Sequence, residues 1–368
     1  MIRLAFFLVS LFVAIGVSAA PVSKTDFGPV VIFDPPANYT AQRTLYARSL
    51  LLTNGDLLAT WENYSPAADG IPYFPIYKSK DGGQTWSPFS KVEDQVNGWG
   101  LRYQPFLYEL PSPIGGYKKG DLLLAGNSIP EDLSKTQIDL YASRDQGQTW
   151  TFVSHIANGG RAIPNNGETP VWEPFLMYHN DQLVCYYSDQ RDPSYGQKMS
   201  HQVTSDLATW GPVVTDVAYP TYDFRPGMPT VSELPDGRYI LTYEFYGATE
   251  GAFSVYYKIS ADPLAFGSQT GVVLRSTDGY VPSSSPYNVW TPAGGSNGSI
   301  VVNAGSSTDV FISTDLGESW VRQATSAPES YTRSLRVMKD DTKVLIVGGG
   351  PITGDGSTNE VTATQITV

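Results

Sequence analysis

Ser79-Lys-Asp81-Gly-Gly83-Gln-Thr85-Trp86 returns as Ser143-Arg-Asp145-Gln-Gly147-Gln-Thr149-Trp150 and again as Ser313-Thr-Asp315-Leu-Gly317-Glu-Ser319-Trp320. Two degraded copies lie between them, Ser205-Asp206-Leu-Ala-Thr209-Trp210 and Ser260-Ala-Asp262-Pro-Leu-Ala-Phe266. The terminal aromatics fall at 86, 150, 210, 266 and 320, at intervals of 54 to 64 residues. A near-constant period of that length marks a repeat architecture. In each copy the Asp carboxylate is expected to accept backbone N–H groups across a tight turn. Gly supplies a positive φ, and Trp fills the space between neighbouring sheets.

A second repeat lies between the first. Arg48–Trp61 reads as a strand, an Asn54-Gly55 turn and a strand. Phe175–Tyr187, Thr230–Tyr243, Phe106–Ala125, Val289–Asn303 and Ser334–Val347 read the same way, which makes six hairpins. The Asp-centred turn resembles the Asp box, or bacterial neuraminidase repeat, a structural signature of sheet-ring proteins. The predicted fold is all-β: a six-bladed, sialidase-like β-propeller, each blade an A–B hairpin followed by a C–D hairpin with the Asp box at its turn. The sixth hairpin has no box after it. Gly28–Phe33 near the N-terminus is the candidate for the missing outer strand, closing the ring against the C-terminal blade and hiding both edges.

Composition narrows the function. The 368 residues are 41% hydrophobic and 16% charged, with 8 Trp, 23 Tyr and 15 Phe, which excludes a disordered chain. One cysteine, Cys185, excludes an internal disulfide; it sits in an apolar strand and reads as a small buried hydrophobe. A net charge of -12 argues against a nucleic-acid partner. No apolar run of spanning length follows the first twenty residues, so no membrane role is expected. Residues 1–20 read as a secretory signal peptide: Arg3, an apolar stretch from Leu4 to Val17, and Ser18-Ala19-Ala20 as the cleavage site. Residues 21–368 then form a single secreted catalytic domain, and a ring without free edges is expected to be a monomer. Asn38, Asn63 and Asn297 begin N-x-[ST] sequons. His155, His179 and His201 lack ligand spacing, and neither a metal nor another cofactor is expected.

Propeller topology places the A–B and C–D turns on one face. Residues just before strand A and just after strand B therefore meet on the other. The first set is Tyr46, Arg48, Arg102, Tyr103, Gln104, Trp172, Glu173, Phe224, Arg225, Tyr287, Asn288, Trp290, Tyr331 and Arg333. The second is Glu62, Asn63, Asn127, Asp189, Arg191, Glu244 and Tyr246. Aromatic faces mixed with amides, guanidinium groups and carboxylates suit a sugar, which has apolar C–H faces and dense hydroxyls. Glu173 and Glu244 fall on adjacent blades and are the candidate catalytic pair, because glycosidic hydrolysis needs two carboxyls. The competing structural reading pairs each Glu with a neighbouring Arg on a solvated rim. Asp189 either steers hydroxyls or forms a structural pair with Arg191.

The chain resembles glycoside hydrolase family 93. The resemblance rests on Tyr46-Ala-Arg48-Ser-Leu50, Val171-Trp-Glu173-Pro-Phe175, Phe224-Arg225-Pro-Gly-Met-Pro229, Leu241-Thr-Tyr-Glu244-Phe-Tyr246 and Tyr331-Thr-Arg-Ser-Leu335. It implies a secreted exo-arabinanase with a six-bladed propeller, retaining in mechanism, that releases arabinobiose from the non-reducing end of linear α-1,5-L-arabinan. It further implies Glu244 as nucleophile, Glu173 as general acid/base and Tyr331 as an orienting active-site residue. Tyr46, Arg48, Asn63, Arg102, Tyr103, Asn127, Trp172, Asp189, Arg225, Tyr246, Tyr287, Asn288 and Arg333 are the expected substrate-binding set. Two alternatives use the same fold. A sialidase would use Tyr331 as nucleophile and Arg48, Arg225 and Arg333 to bind a carboxylate. A non-catalytic sugar-binding propeller would need neither Glu.

Overall fold

A hairpin with two apolar faces is stable only between two other sheets, and that requirement shapes residues 26–368, which the computed structural model describes. The leader read at residues 1–20 lies outside the described residues. The described residues start with β1 (Phe27–Phe33) and form six four-stranded antiparallel sheets. Blade 1 holds β2 (Thr44–Leu51), β3 (Leu57–Asn63), β4 (Tyr73–Ser79) and β5 (Ser87–Glu93). Blade 2 holds β6 (Leu101–Glu109), β7 (Leu122–Ser128), β8 (Thr136–Ser143) and β9 (Thr151–Gly159). Blade 3 holds β10 (Val171–His179), β11 (Gln182–Asp189), β12 (Lys198–Thr204) and β13 (Val214–Val217). Blade 4 holds β14 (Arg225–Glu233), β15 (Tyr239–Tyr246), β16 (Ser254–Ser260) and β17 (Val272–Val273). Blade 5 holds β18 (Tyr287–Thr291), β19 (Ser299–Ala304), β20 (Ser307–Ser313) and β21 (Val321–Gln323). Blade 6 holds β22 (Ser334–Val337), β23 (Lys343–Gly348) and β24 (Val361–Thr367), and takes β1 as its outer strand.

All six hairpins expected from the sequence form, and the expected closure is present. Val30 pairs with Ala363, Val31 with Thr362 and Phe33 with Val361. The inner strands β2, β6, β10, β14, β18 and β22 touch in succession, and β22 returns to β2. Burial follows this order. Strands β3 and β7 are buried at every position, whereas β5 at the rim is mostly exposed. Cys185 is fully buried, and burial pushes its thiol well above the usual range.

The Asp boxes work as the sequence predicts. Asp81 accepts from Ser79 Oγ at 2.8 Å, Gln84 N at 3.1 Å and Thr85 N at 3.0 Å. Hydrogen bonds from Thr85 hold its carboxyl at about 2. Gly83 has φ +95°, and a side chain there would press on Leu345 of blade 6, so the box docks on the preceding blade. Trp150 likewise packs among Leu50, Leu58 and Leu122. One reading needs correction. The degraded box of blade 3 is anchored by Thr204, whose hydroxyl meets Asp206 at 3.0 Å, and not by Ser205. The anchor must lie two residues before the Asp to reach back across the turn.

The boxes lie on the face away from the strand A heads. Asp81→Ala should therefore cost about 1 kcal/mol of stability through lost turn hydrogen bonds and lower the melting temperature by roughly 2–4 °C. Calorimetry and initial rates measured together should show this with kcat unchanged.

Candidate active site

Four inner strands carry the same irregularity at their heads. The ladders skip between Leu45 and Arg48, Tyr103 and Phe106, Trp172 and Phe175, and Gly227 and Thr230. Inside each skip one non-glycine residue has a left-handed backbone: Tyr46 at φ +50°, Gln104 at +64°, Glu173 at +62° and Met228 at +62°. A β-bulge of this kind re-aims a side chain at a strand end, and the strain is held by the surrounding sheets. The four bulges ring the top of the channel. They surround a cavity of about 520 Å³ with walls from blades 1 to 4 and from the loops that enter blades 5 and 6, including Glu62, Gln104, Trp172, Arg225, Ser284 and Tyr331.

Glu173 and Glu244 both line it. Glu244 lies opposite Gly227 across β14 and β15. A Cβ at Gly227 would sit 3.6 Å from Glu173 Oε2 and 2.6 Å from Gln197 Nε2, so the bare glycine leaves room for the carboxyls to approach. Glu173 Oε2 accepts from Ser188 Oγ at 2.6 Å and Met228 N at 2.9 Å. Glu244 Oε2 accepts from Ser285 N at 2.7 Å. These partners are hydroxyls and amides, not arginines, which removes the rim ion-pair reading.

Burial raises both carboxyls above their ordinary range. Glu244 rises to about 8, first through burial and then through the charge of Glu173. Glu173 keeps two donors that favour its charged form. Glu244, with one backbone donor and the charge of Glu173 beside it, is the member of the pair pushed toward its neutral form. Glu62 is a third carboxyl in the cavity, bonded to the Tyr64 hydroxyl at 2.8 Å and Gln104 N at 3.0 Å, and burial pushes it to about 7. Burial and the neighbouring carboxyls of Glu244 and Glu173 hold the Tyr331 phenol well above its ordinary value, so it stays a hydroxyl.

The expected substrate-binding set divides. Tyr103, Trp172 and Arg225 line the cavity. Tyr246, 42% exposed, stands at the rim 5.0 Å from the Phe253 ring, which does line it. The others are corrected to supporting positions. Tyr46 is buried against Tyr331 and Met228. Arg48 is buried, stacked 3.9 Å over Tyr46 and bonded to Ala47 O and Thr332. Tyr287 lies under it, 5.3 Å from the guanidinium. Arg102 donates to Ile129 O at 2.9 Å. Asn127 holds Gln104 Oε1 at 2.8 Å and Val171 O at 3.1 Å. Asp189 is locked to Arg191 at 2.8 Å, the structural alternative. Asn288 ties Thr230 and Thr242 together. Arg333, 1% exposed, donates to the carbonyls of Ala304, Thr308 and Asp309. Asn63 faces away from the cavity altogether. Buried backbone carbonyls and amides need partners, and the fully inward positions supply them.

Only Arg225 of the three arginines required by the sialidase reading lines the cavity, so the triad is not assembled. Gln104 and Glu62, both among the positions expected at this face, line the cavity as well. The bulge that turns Gln104 inward has no glycine to signal it. Gln197, Ser284 and Tyr64 come from loops or strand ends without a repeat signature. Among the described residues no group of three or more His, Cys, Asp or Glu is placed to hold a metal.

Comparison with known proteins fits this geometry. The BNR/Asp-box repeat family matches residues 77–88. No curated protein matches the chain. Among solved structures, the chain is similar to the α-L-arabinofuranosidase of Fusarium graminearum bound to an iminosugar inhibitor. Identity is 50% and the TM-score 0.91, over 93% of this chain and 98% of that one. The same enzyme, a GH93 α-L-arabinofuranosidase, is also known with arabinobiose, at 49% identity, TM-score 0.91 and the same coverage. The α-L-arabinanase of Penicillium chrysogenum, complexed with arabinobiose, is 53% identical with TM-score 0.90, over 93% of this chain and 98% of that one. A Hadza microbial sialidase shares the fold alone, at 12% identity and TM-score 0.61 over 92% of this chain and 68% of its own.

The raised Glu244 carboxyl has a consequence for stability. Its folded value of about 8 exceeds the ordinary 4.5. The folded chain therefore holds a proton that the unfolded chain releases, and stability falls as pH rises from about 4.5 to 8. Glu244→Gln needs no proton. It should melt higher than wild type at pH 8 by on the order of 2–4 °C, with the difference vanishing near pH 4.5. Melting curves at the two pH values read this directly.

Proposed function

The chain belongs to glycoside hydrolase family 93, and from that membership we propose that it is a secreted, exo-acting, retaining hydrolase of linear α-1,5-L-arabinan that releases arabinobiose. The observation that carries the proposal is the buried pair Glu173 and Glu244 about Gly227, in a cavity walled by blades 1 to 4 and the loops entering blades 5 and 6. One carboxyl attacks the anomeric carbon while the other protonates the leaving oxygen and then takes a proton from water. A cavity walled on every side favours a chain end over a chain interior. Trp172, Tyr103 and Phe253 offer faces for C–H groups, and Arg225, Gln197 and Glu62 offer hydrogen bonds to hydroxyls. Secretion is supported by the leader-like residues 1–20, and action as a monomer by a ring whose end strands are paired.

Two considerations bear on the roles. The family resemblance gives the nucleophile to Glu244. The two hydrogen bonds donated to Glu173 Oε2 favour the ionised form there. Substrate must shift the proton to Glu173 for the first assignment to hold. Azide separates the two. If Glu244 is the nucleophile, azide restores turnover to Glu244→Ala with inversion at the anomeric carbon. The same anion then restores Glu173→Ala with retention on a substrate with a good leaving group. The opposite pattern reverses the roles. Either variant alone should lose at least about 10³-fold in kcat, a barrier of about 4 kcal/mol.

Product analysis on debranched arabinan tests the activity. Arabinobiose alone at early times, with slow loss of viscosity, is the expected result. Mixed oligomers with rapid loss of viscosity would make the enzyme endo-acting, and no released sugar would sink the assignment.

A further inference from the structure

Strand β3 has a cavity on each side. Alternation along the strand sends Glu62 to the catalytic cavity and Trp61 and Asn63 to a second one of about 330 Å³, which lies against blade 6 and the segment after β1. Its volume falls within the ~300–1,000 Å³ of small-molecule sites. Phe33 stacks on Trp61 at 5.2 Å between ring centres. Tyr73 lines it, with Lys91 Nζ 5.3 Å from its ring. Tyr39 is partly buried, and burial pushes its phenol up to about 12, so it stays a hydroxyl. Asn63 is 6% exposed and lines the cavity, and its Nδ2, turned toward the Tyr39 hydroxyl, has no acceptor within 3.5 Å among the described residues.

A buried amide N–H without an acceptor is costly, and such groups are usually satisfied by water or a ligand. We propose that this cavity is a second saccharide site, taking a neutral pentose unit of the polysaccharide whose chain end enters the catalytic cavity. The chemistry favours a neutral sugar. Lys91 is paired with Glu93 at 2.6 Å, so the cavity has no free positive charge to select an anion. Aromatic faces receive C–H groups, and the Asn63 amide and Tyr39 hydroxyl supply the directional contacts. A buried Asn63 also leaves no room for a glycan at its sequon. The ligand class rests on the substrate proposed above. The site itself rests on Asn63, the aromatic walls and their separation from Glu173 by β3.

The test is binding and kinetics together. Titration calorimetry of arabinotriose into Glu173→Gln should give two equivalents bound, falling to one when Tyr73→Ala is added. In the otherwise unaltered enzyme, Tyr73→Ala should lower the ratio of kcat/KM on linear arabinan to kcat/KM on arabinotriose by three- to tenfold. Asn63→Leu should do the same, which keeps the reading if Tyr73→Ala folds poorly. A single equivalent whose binding ignores Tyr73 and Asn63, or an unchanged ratio, overturns the second site. If arabinan is not cleaved but Tyr73-dependent binding of arabinotriose persists, the substrate reading falls and the second site stands.

Discussion

The pairing of β1 with β24 is the contact on which the other features depend. Each inner strand is buried on both faces by its neighbours, so every blade needs two others, and the first and last blades find each other only if the ring closes. Closure is made by main-chain hydrogen bonds between segments more than 300 residues apart. It joins blade 6 to blade 1, which sets Tyr331 beside Tyr46 and brings Ile352 into the same cavity as Glu62.

The ring also makes the strained heads of β2, β6, β10 and β14 tolerable. A left-handed residue that is not glycine is disfavoured on its own. Here each one is clamped by the next blade. Gln104 Oε1 takes the Glu173 amide at 3.0 Å and the Asn127 side chain at 2.8 Å, and Met228 N closes on Glu173 Oε2. The bulges thus form a chain of contacts running from blade to blade around the channel. Buried Asn127, Asn288, Arg48 and Arg333 support this chain by satisfying backbone carbonyls and neighbouring hydroxyls, and that is why these polar side chains are inside.

The same packing produces the electrostatics. Three carboxyls converge where sheets exclude water, and the ion-pairing arginines are committed elsewhere, to carbonyls, amides and aromatic faces. Desolvation then keeps protons on carboxyls near neutral pH, which is the condition a carboxyl acid needs. Strand β3 shows how economical the alternation is. One face presents Glu62 to this cavity, and the other presents Trp61 and Asn63 to an aromatic recess.

Much of this was legible in the residues themselves. The Asp boxes, the six hairpins and the spare strand at Gly28–Phe33 are local patterns of period and turn chemistry, and local patterns survive in sequence because they act over a few residues. The joint membership of Glu173 and Glu244 was legible too, since topology alone puts strand heads and strand ends on one face. What the sequence left open was which polar residues at those positions face inward. Arg48, Asn127, Asn288 and Arg333 carry the side chains of a sugar site, yet they serve the backbone. Gln104 and Glu62 hold the same kind of position and do face the cavity. The difference lies in bulges without glycine and in partners 23 to 284 residues away. Side-chain direction at a strained strand head is fixed by what the adjoining blade supplies, and only the closed ring decides that.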